Sequence, residues 1–148
     1  MLTTIGRGVL VGAGRNVFII PEAVFGTMRR IYNVIRFDDQ FKELYEWMQN
    51  LYIHTDVQFV EALLGDYSDT PFQRQAQRVS HGHLHDALRE LHTELKKLDQ
   101  DITAHREKWF ATYRPFGNMH HMSIIEARKK ALDHCINRFV SVNLQSRV

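Results

Sequence analysis

The stretch LHDALRELHTELKKLDQDITAHREKW, residues 84–109, decides the fold. Large side chains recur in it at alternating steps of four and three residues. A repeat averaging 3.5 residues keeps one face of a helix against a partner helix. The intervening positions are charged, as at Arg89 and Glu90. We therefore predict a long coiled-coil-like helix. Its seam is formed by Leu84, Leu88, Leu91, Leu95, Leu98 and Ile102, and the repeat continues at His105 and Trp109.

The predicted helix is long for the chain that carries it. Proline and glycine are absent between Gly82 and Pro115, and Pro71 is a suitable first helical residue. A continuous helix from Pro71 to about Tyr113 would measure ~60 Å. A globule of 148 residues is smaller than this. We therefore expect part of the helix to project or to pack on another protein.

A second helix is predicted after the long one. Pro115 and Gly117 interrupt the helical pattern, and Ser123 with Glu126 forms a capping-box sequence. The short interruption favours an antiparallel hairpin of the two helices. The apolar stripe of the last helix contains Ile125, Leu132, Cys135, Ile136, Phe139 and Val142.

Three amphipathic helices are predicted between the apolar start of the chain and the long helix. Asp38 or Asp39 is a suitable cap for the second of them, and Thr55 or Asp56 for the third, which we expect to stop at Gly65. The three apolar stripes are Val24, Phe25, Met28, Ile31, Tyr32 and Ile35; Phe41, Leu44, Tyr45, Met48, Leu51 and Tyr52; and Phe59, Val60, Leu63 and Leu64.

The most apolar part of the chain is residues 8–25. Its length is close to the ~17–25 residues that span a bilayer. Arg15 opposes insertion by roughly 2.5–3.5 kcal/mol, about what the apolar residues contribute. Because no acid precedes Glu22 and Arg7 is also present, the start resembles a mitochondrial targeting segment. We expect a helix in or at a membrane.

Gly8 and Gly12 have the GxxxG spacing that lets helices approach closely in lipid, and we predict them as helix-packing positions. A β-hairpin of residues 9–11 and 17–20 remains an alternative. The pattern around Gly12 and Gly14 also imitates a dinucleotide-binding turn, but Pro21 would end the following helix and no second strand follows.

Three arginines follow the apolar segment. Arg29, Arg30 and Arg36 are placed where a membrane-anchored helix meets anionic headgroups, so we predict that they contact lipid headgroups. The alternative of equal weight is an amphipathic helix with a solvated basic flank.

The N-terminal segment, with GxxxG at Gly8 and Gly12 and Gly14-Arg15-Asn16 before a charged helix, resembles subunit e of mitochondrial F-type ATP synthase over about residues 6–20. In that family the segment lies in the inner membrane, where its glycines pack against subunit g and help to join enzyme dimers. The resemblance implies a helix-packing role for Gly8 and Gly12 and a place in the mitochondrial inner membrane.

Composition argues against several functions. With 19 Lys and Arg against 17 Asp and Glu, the net charge is only +2, which disfavours nucleic acid as a partner. The single cysteine, Cys135, excludes an internal disulfide and a cysteine-built zinc site. His81 and His85 have a chelating spacing, but no established metal or catalytic motif is present. We expect no metal, no cofactor and no enzymatic activity.

The sequence thus predicts an all-α protein: a membrane-associated segment at 1–36, a small helical region at 37–69 and a long helical hairpin at 70–148. We expect a non-catalytic accessory subunit of a membrane complex, in the mitochondrial inner membrane, as part of ATP synthase or a respiratory complex. Its partners would be other subunits and lipid. The alternative is a soluble helical adaptor, or a virion or scaffold protein, in the cytoplasm or a virion, that binds partners through the hairpin.

Overall fold

The computed structural model describes the backbone of residues 5–67, 74–108 and 119–146, and the side chains of residues 19–66, 74–108 and 120–144. In these ranges the chain is helical, as predicted. The helices are α1 (Ile5–Ile35), α2 (Lys42–Leu51), α3 (Ile53–Tyr67), α4 (Gln75–Glu107) and α5 (Met119–Ser146), with a 3₁₀ turn at Asp39–Phe41 before α2.

The predicted hairpin of α4 and α5 is confirmed. Gln77, near the start of α4, donates to Asn143 near the end of α5, while His121 at the start of α5 lies 2.5 Å from Asp101 near the end of α4. The two helices are therefore antiparallel. At 33 residues α4 is ~50 Å long. It is shorter than predicted because Lys108 is already extended, at φ −73° and ψ 131°.

Helix α1 packs along the other side of α4 in the same direction. Its Thr27 meets His92 of α4 at 3.3 Å, and Arg30, three residues later, meets Asp99 at 3.2 Å. α1 also packs against α3, α2 and the 3₁₀ turn. Three long helices and the α2–α3 pair thus enclose one interior.

One hydrophobic core runs through the bundle and takes residues from every helix. All six predicted seam residues are fully buried in it: Leu84, Leu88, Leu91, Leu95, Leu98 and Ile102. The partner that the 3.5-residue repeat predicted is therefore supplied by helices of the same chain. The division into three regions stays a prediction, although the buried residues of all three belong to this core.

The N-terminal segment is one helix through Pro21, so the β-hairpin alternative is wrong. Pro21 and Val24 are buried and Ile20 packs against the core, so the last part of the apolar segment contributes to the bundle. Among the described residues, no helix has the length and hydropathy needed to cross a bilayer. Gly8 and Gly12 lie on α1, and the packing around them falls outside the described side chains.

Several predicted helix ends are wrong. The break between α2 and α3 is at Tyr52, whose φ of 56° is left-handed, so α3 starts at Ile53 and not at Thr55 or Asp56. α3 continues through Gly65 to Tyr67, and α5 begins at Met119, which places Ser123 inside it. The predicted cap Asp38 is confirmed, but on the 3₁₀ turn, where its carboxylate accepts from the Gln40 amide. Tertiary packing overrides the local signals at these ends.

Candidate functional site

An open cleft of about 560 Å³ lies between α1 and α3. Its polar lining comes from two facing rows, one on each helix. We call it the α1–α3 cleft. The α1 side contributes Arg29, Tyr32, Asn33 and Arg36, the α3 side contributes His54, Gln58 and Glu61, and Phe25 and Met28 supply the apolar part.

The structure divides the predicted arginine cluster. Arg29 and Arg36 are seven residues apart, which is two helical turns, so both face the α1–α3 cleft. Arg30 instead forms an ion pair with Asp99 of α4 at 3.2 Å and donates to Thr27. The cleft therefore combines two of the three predicted headgroup residues and excludes the third.

The two cleft arginines have no carboxylate within ion-pair distance in the described part of the chain. The guanidinium of Arg36 lies 5.5 Å from the ring centre of Phe37, a side chain that is 79% exposed. Glu61 is the acidic residue of the cleft lining, on the opposite helix. The cleft thus carries an excess of positive charge.

Aromatic rings contact one another in and beside this cleft. The rings of Phe25 and His54 are 4.9 Å apart, and Tyr32 meets Tyr45 edge-on at 5.7 Å. Burial raises the pKa of the Tyr32 phenol, and Tyr45 adds to the effect. Tyrosine is already protonated at neutral pH at its ordinary pKa, so Tyr32 offers a hydrogen-bond donor at the cleft.

A smaller cavity of about 340 Å³ adjoins the cleft. The two share Tyr32, Arg36 and His54 in their linings. The smaller one is also lined by Tyr52, the left-handed residue between α2 and α3, which is 64% exposed. Arg36 is therefore reachable from two sides, beside two exposed aromatic rings.

A third cavity, of about 540 Å³, lies on the opposite side of α1, between α1 and α4. Its lining contains two cations, Arg30 and Lys96, and one acid, Glu22. Because Arg30 is paired with Asp99, the remaining charges of Lys96 and Glu22 are opposite. Burial lowers the pKa of His92 there, and the charges of Lys96 and Arg30 lower it further. This cavity lacks the unbalanced charge of the α1–α3 cleft.

A charged cluster joins α3 to α5. Lys129 of α5 lies 2.8 Å from Asp133 and 3.3 Å from Asp56 of α3. Burial raises the pKa of Asp56 to about 6, with a further contribution from Asp133, and Lys129 offsets only part of the shift. The hydrogen bond to Asp133 raises the pKa of Lys129. One cation thus serves two carboxylates, which suits a structural contact between helices.

The histidines that suggested metal chelation lie in the hairpin. The rings of His81 and His85 are 4.9 Å apart, and His81 also meets Phe139 of α5. Burial lowers the pKa of both histidines. The charge of His85 lowers the pKa of His81 further, and the charge of Arg89 lowers that of His85, against a smaller opposing effect of Asp86. Among the described side chains, no three His, Cys, Asp or Glu residues come together as a metal site.

Cys135 packs against the core, partly buried on α5. Burial raises the pKa of its thiol, so the neutral form is favoured at neutral pH. This matches a packing residue rather than a nucleophile.

No protein-family model matches the chain, and neither a curated protein nor a solved structure matches it. Function is therefore inferred from the residues themselves. The resemblance of residues 6–20 to subunit e of ATP synthase stays a prediction.

Sequence reasoning missed the α3 side of the cleft. His54, Gln58 and Glu61 repeat at steps of four and three, which is the spacing of one helix face. The sequence alone could have identified that polar row. It could not have shown that the row lies opposite Arg29 and Arg36, because this depends on which helices pack together.

Proposed function

We propose that the protein is a non-catalytic accessory subunit of a membrane-associated complex, attached through the N-terminal half of α1. The observation that carries the proposal is the continuity of α1. Its C-terminal half is built into the core, with Val24 and Ile31 fully buried, while residues 5–18 extend the same helix with the apolar sequence.

The sequence of this N-terminal half suits an interfacial helix. It is rich in Val, Leu, Ile and Gly, it contains Arg7 and Arg15, and it has no acidic residue. Apolar helices with cationic residues bind anionic membrane surfaces through both properties. A partner helix could use Gly8 and Gly12 for close packing.

The surface of the bundle supports attachment outside the leucine seam. The seam is buried, but Ile19 is 55% exposed where the N-terminal half of α1 leaves the core. Phe37 and Phe59 are exposed elsewhere on the bundle. Partners would therefore bind at the ends and outer faces of the bundle.

Membrane association tests the proposal directly. The full chain should float with vesicles that contain anionic lipid, and should pellet with cell membranes at low salt. Recovery in the soluble fraction, together with no flotation, would contradict it.

A glycine pair tests the attachment surface. Gly8→Leu with Gly12→Leu should disrupt the native complex on a gel and leave the helix content unchanged. Gly82→Leu is the matched control, because Gly82 is exposed on α4 and a Cβ there would meet no atom within 4 Å. If the double variant and the control give the same result on the native gel, Gly8 and Gly12 do not form the attachment surface.

The mitochondrial inner membrane is the compartment that we propose, on the acid-free start and the resemblance of residues 6–20. A fluorescent fusion at the C-terminus and fractionation of mitochondria would test it. Co-purification of ATP synthase or respiratory-complex subunits would name the complex.

The second candidate function is a soluble helical adaptor, and the buried seam favours it. A chain that fills its own leucine seam can fold without a partner helix. This adaptor would bind partners through its exposed faces, and it requires that the chain does not float with anionic vesicles.

A further inference from the structure

We infer that the α1–α3 cleft binds the phosphate group of a small phosphorylated molecule. The inference concerns the C-terminal half of α1 and the facing row on α3. It does not depend on how the N-terminal half of α1 is attached, so it goes beyond the proposed accessory role.

The positive charge of the cleft favours an anionic ligand. Arg29 and Arg36 line the cleft without a carboxylate partner among the described residues, whereas Arg30 on the same helix is paired with Asp99. Glu61 is the acid that the lining contains, so the cleft keeps a net positive charge. An anion would balance it.

The type of cation and donor in the cleft favours a phosphate group. Planar guanidinium groups donate paired hydrogen bonds that match phosphate oxygens. The Tyr32 phenol is protonated at neutral pH, as tyrosine ordinarily is, and it lines the cleft as a donor. Asn33 and Gln58 add neutral donors on the two sides. A tetrahedral anion with several acceptor oxygens uses such a set better than a single carboxylate does.

The size and lining of the cleft suit a small organic molecule. A volume of about 560 Å³ is in the ~300–1,000 Å³ range of small-molecule sites. Phe25 and Met28 give the cleft an apolar side, against which the rest of the ligand would pack. The ligand class is therefore a phosphomonoester with a small organic group, either free in solution or as the headgroup of a phospholipid.

Binding to the full chain tests this inference. Amide shifts of the ¹⁵N-labelled protein are followed in NMR titrations with inorganic phosphate and with glycerol 3-phosphate. Flotation with phosphatidic acid in phosphatidylcholine, against phosphatidylcholine alone, provides the lipid arm. Shifts confined to residues 25–36 and 54–61 are expected for soluble phosphates. Binding only to the phosphatidic acid vesicles identifies a lipid headgroup in the cleft if it weakens in Arg29→Gln and Arg36→Gln but not in Arg30→Gln, since attachment through the N-terminal half of α1 would be the same in all three.

Three arginine variants supply the matched comparison. Arg29→Gln and Arg36→Gln should each weaken binding by about tenfold, because each removes a charged donor. Arg30→Gln removes the same charge from the same helix outside the cleft and should change binding less than about twofold. Thermal melts check that all three remain folded, which their exposed positions favour.

A variant that should tighten binding complements these three. Glu61→Gln removes the carboxylate that repels an anion in the cleft and should tighten binding about threefold. The inference would be overturned if soluble phosphates did not bind and if vesicle binding were the same in the wild type, Arg29→Gln and Arg36→Gln. Equal losses in Arg29→Gln, Arg36→Gln and Arg30→Gln would also overturn it, because they would show attraction by net charge alone.

Discussion

Trp47 of α2 donates its indole N–H to the carboxylate of Glu126 of α5 over 2.6 Å. The bond joins residues 79 positions apart and fixes the shortest helix against the C-terminal one. Both side chains are half-buried. A hydrogen bond to a charged acceptor is worth more than a neutral one, and its loss leaves a partly desolvated carboxylate.

Replacement of Trp47 by Phe should therefore destabilise the protein. The ring that packs against the core is largely retained, but Glu126 loses its donor. We expect the free energy of unfolding in urea to fall by about 1–3 kcal/mol. The Trp47→Phe, Glu126→Leu double variant should recover part of the loss, and an additive double loss would argue against the bond.

The Asp56 carboxyl should give stability a distinctive pH dependence. Its folded pKa, about 6, is above the unfolded value of 3.8, so the protonated form is favoured in the folded state. This preference adds to the free energy of unfolding below about pH 4, and the added stability is lost as pH rises through about 6. Relative to Asp56→Asn, the wild type should lose about 1 kcal/mol across this window, since partial exposure screens the effect.

Urea titrations of both proteins at several pH values measure this difference. Asp66→Asn is the control, because Asp66 is exposed on the same helix. Parallel pH curves for the wild type and Asp56→Asn would refute the prediction.

The buried seam should behave as an internal core. Leu91 is fully buried, so Leu91→Ala should cost about 2–5 kcal/mol by removing packed methyl groups. Leu144→Ala, at a position 59% exposed, should cost less than about 0.5 kcal/mol. Denaturation of the wild type should not depend on protein concentration. A midpoint that rises with concentration would show that another copy helps to bury the seam.

Gly82 offers a stabilising change. It lies exposed inside α4, and a Cβ added there would meet no atom within 4 Å. Gly82→Ala should raise the free energy of unfolding by about 0.5–1 kcal/mol, since alanine loses less backbone entropy in a helix. The reverse change Ala104→Gly, at another exposed position of α4, should lower it by a similar amount. A Gly82→Ala protein less stable than the wild type would contradict the packing described here.

The parts of the fold that depend on long periodic patterns could be predicted from the sequence. The seam residues from Leu84 to Ile102 are fully buried, and four of the six stripe residues between Val24 and Ile35 are buried, while Phe25 and Tyr32 of that stripe are partly buried and line the cleft. Spacing over several turns specifies a helix face. The antiparallel hairpin could be predicted from the short interruption at Pro115 and Gly117 between two helical patterns.

The features that depend on single residues or on helix neighbours could not be predicted. Tyr52 ends α2 in a left-handed conformation that glycine or asparagine usually adopts, so no local signal marked it. The different surroundings of Arg29 and Arg30 depend on α3 and α4 packing on opposite sides of α1. Which helices become neighbours is a property of the whole core.

The parallel packing of α1 on α4 has a consequence for synthesis. Thr27 and Arg30 find their α4 partners 65 and 69 residues later in the chain. At ~5–20 residues per second, the ribosome releases α4 seconds after α1. During that delay the apolar face of the nascent first helix lacks its final neighbour, so it is open to a chaperone or a targeting factor before the domain closes.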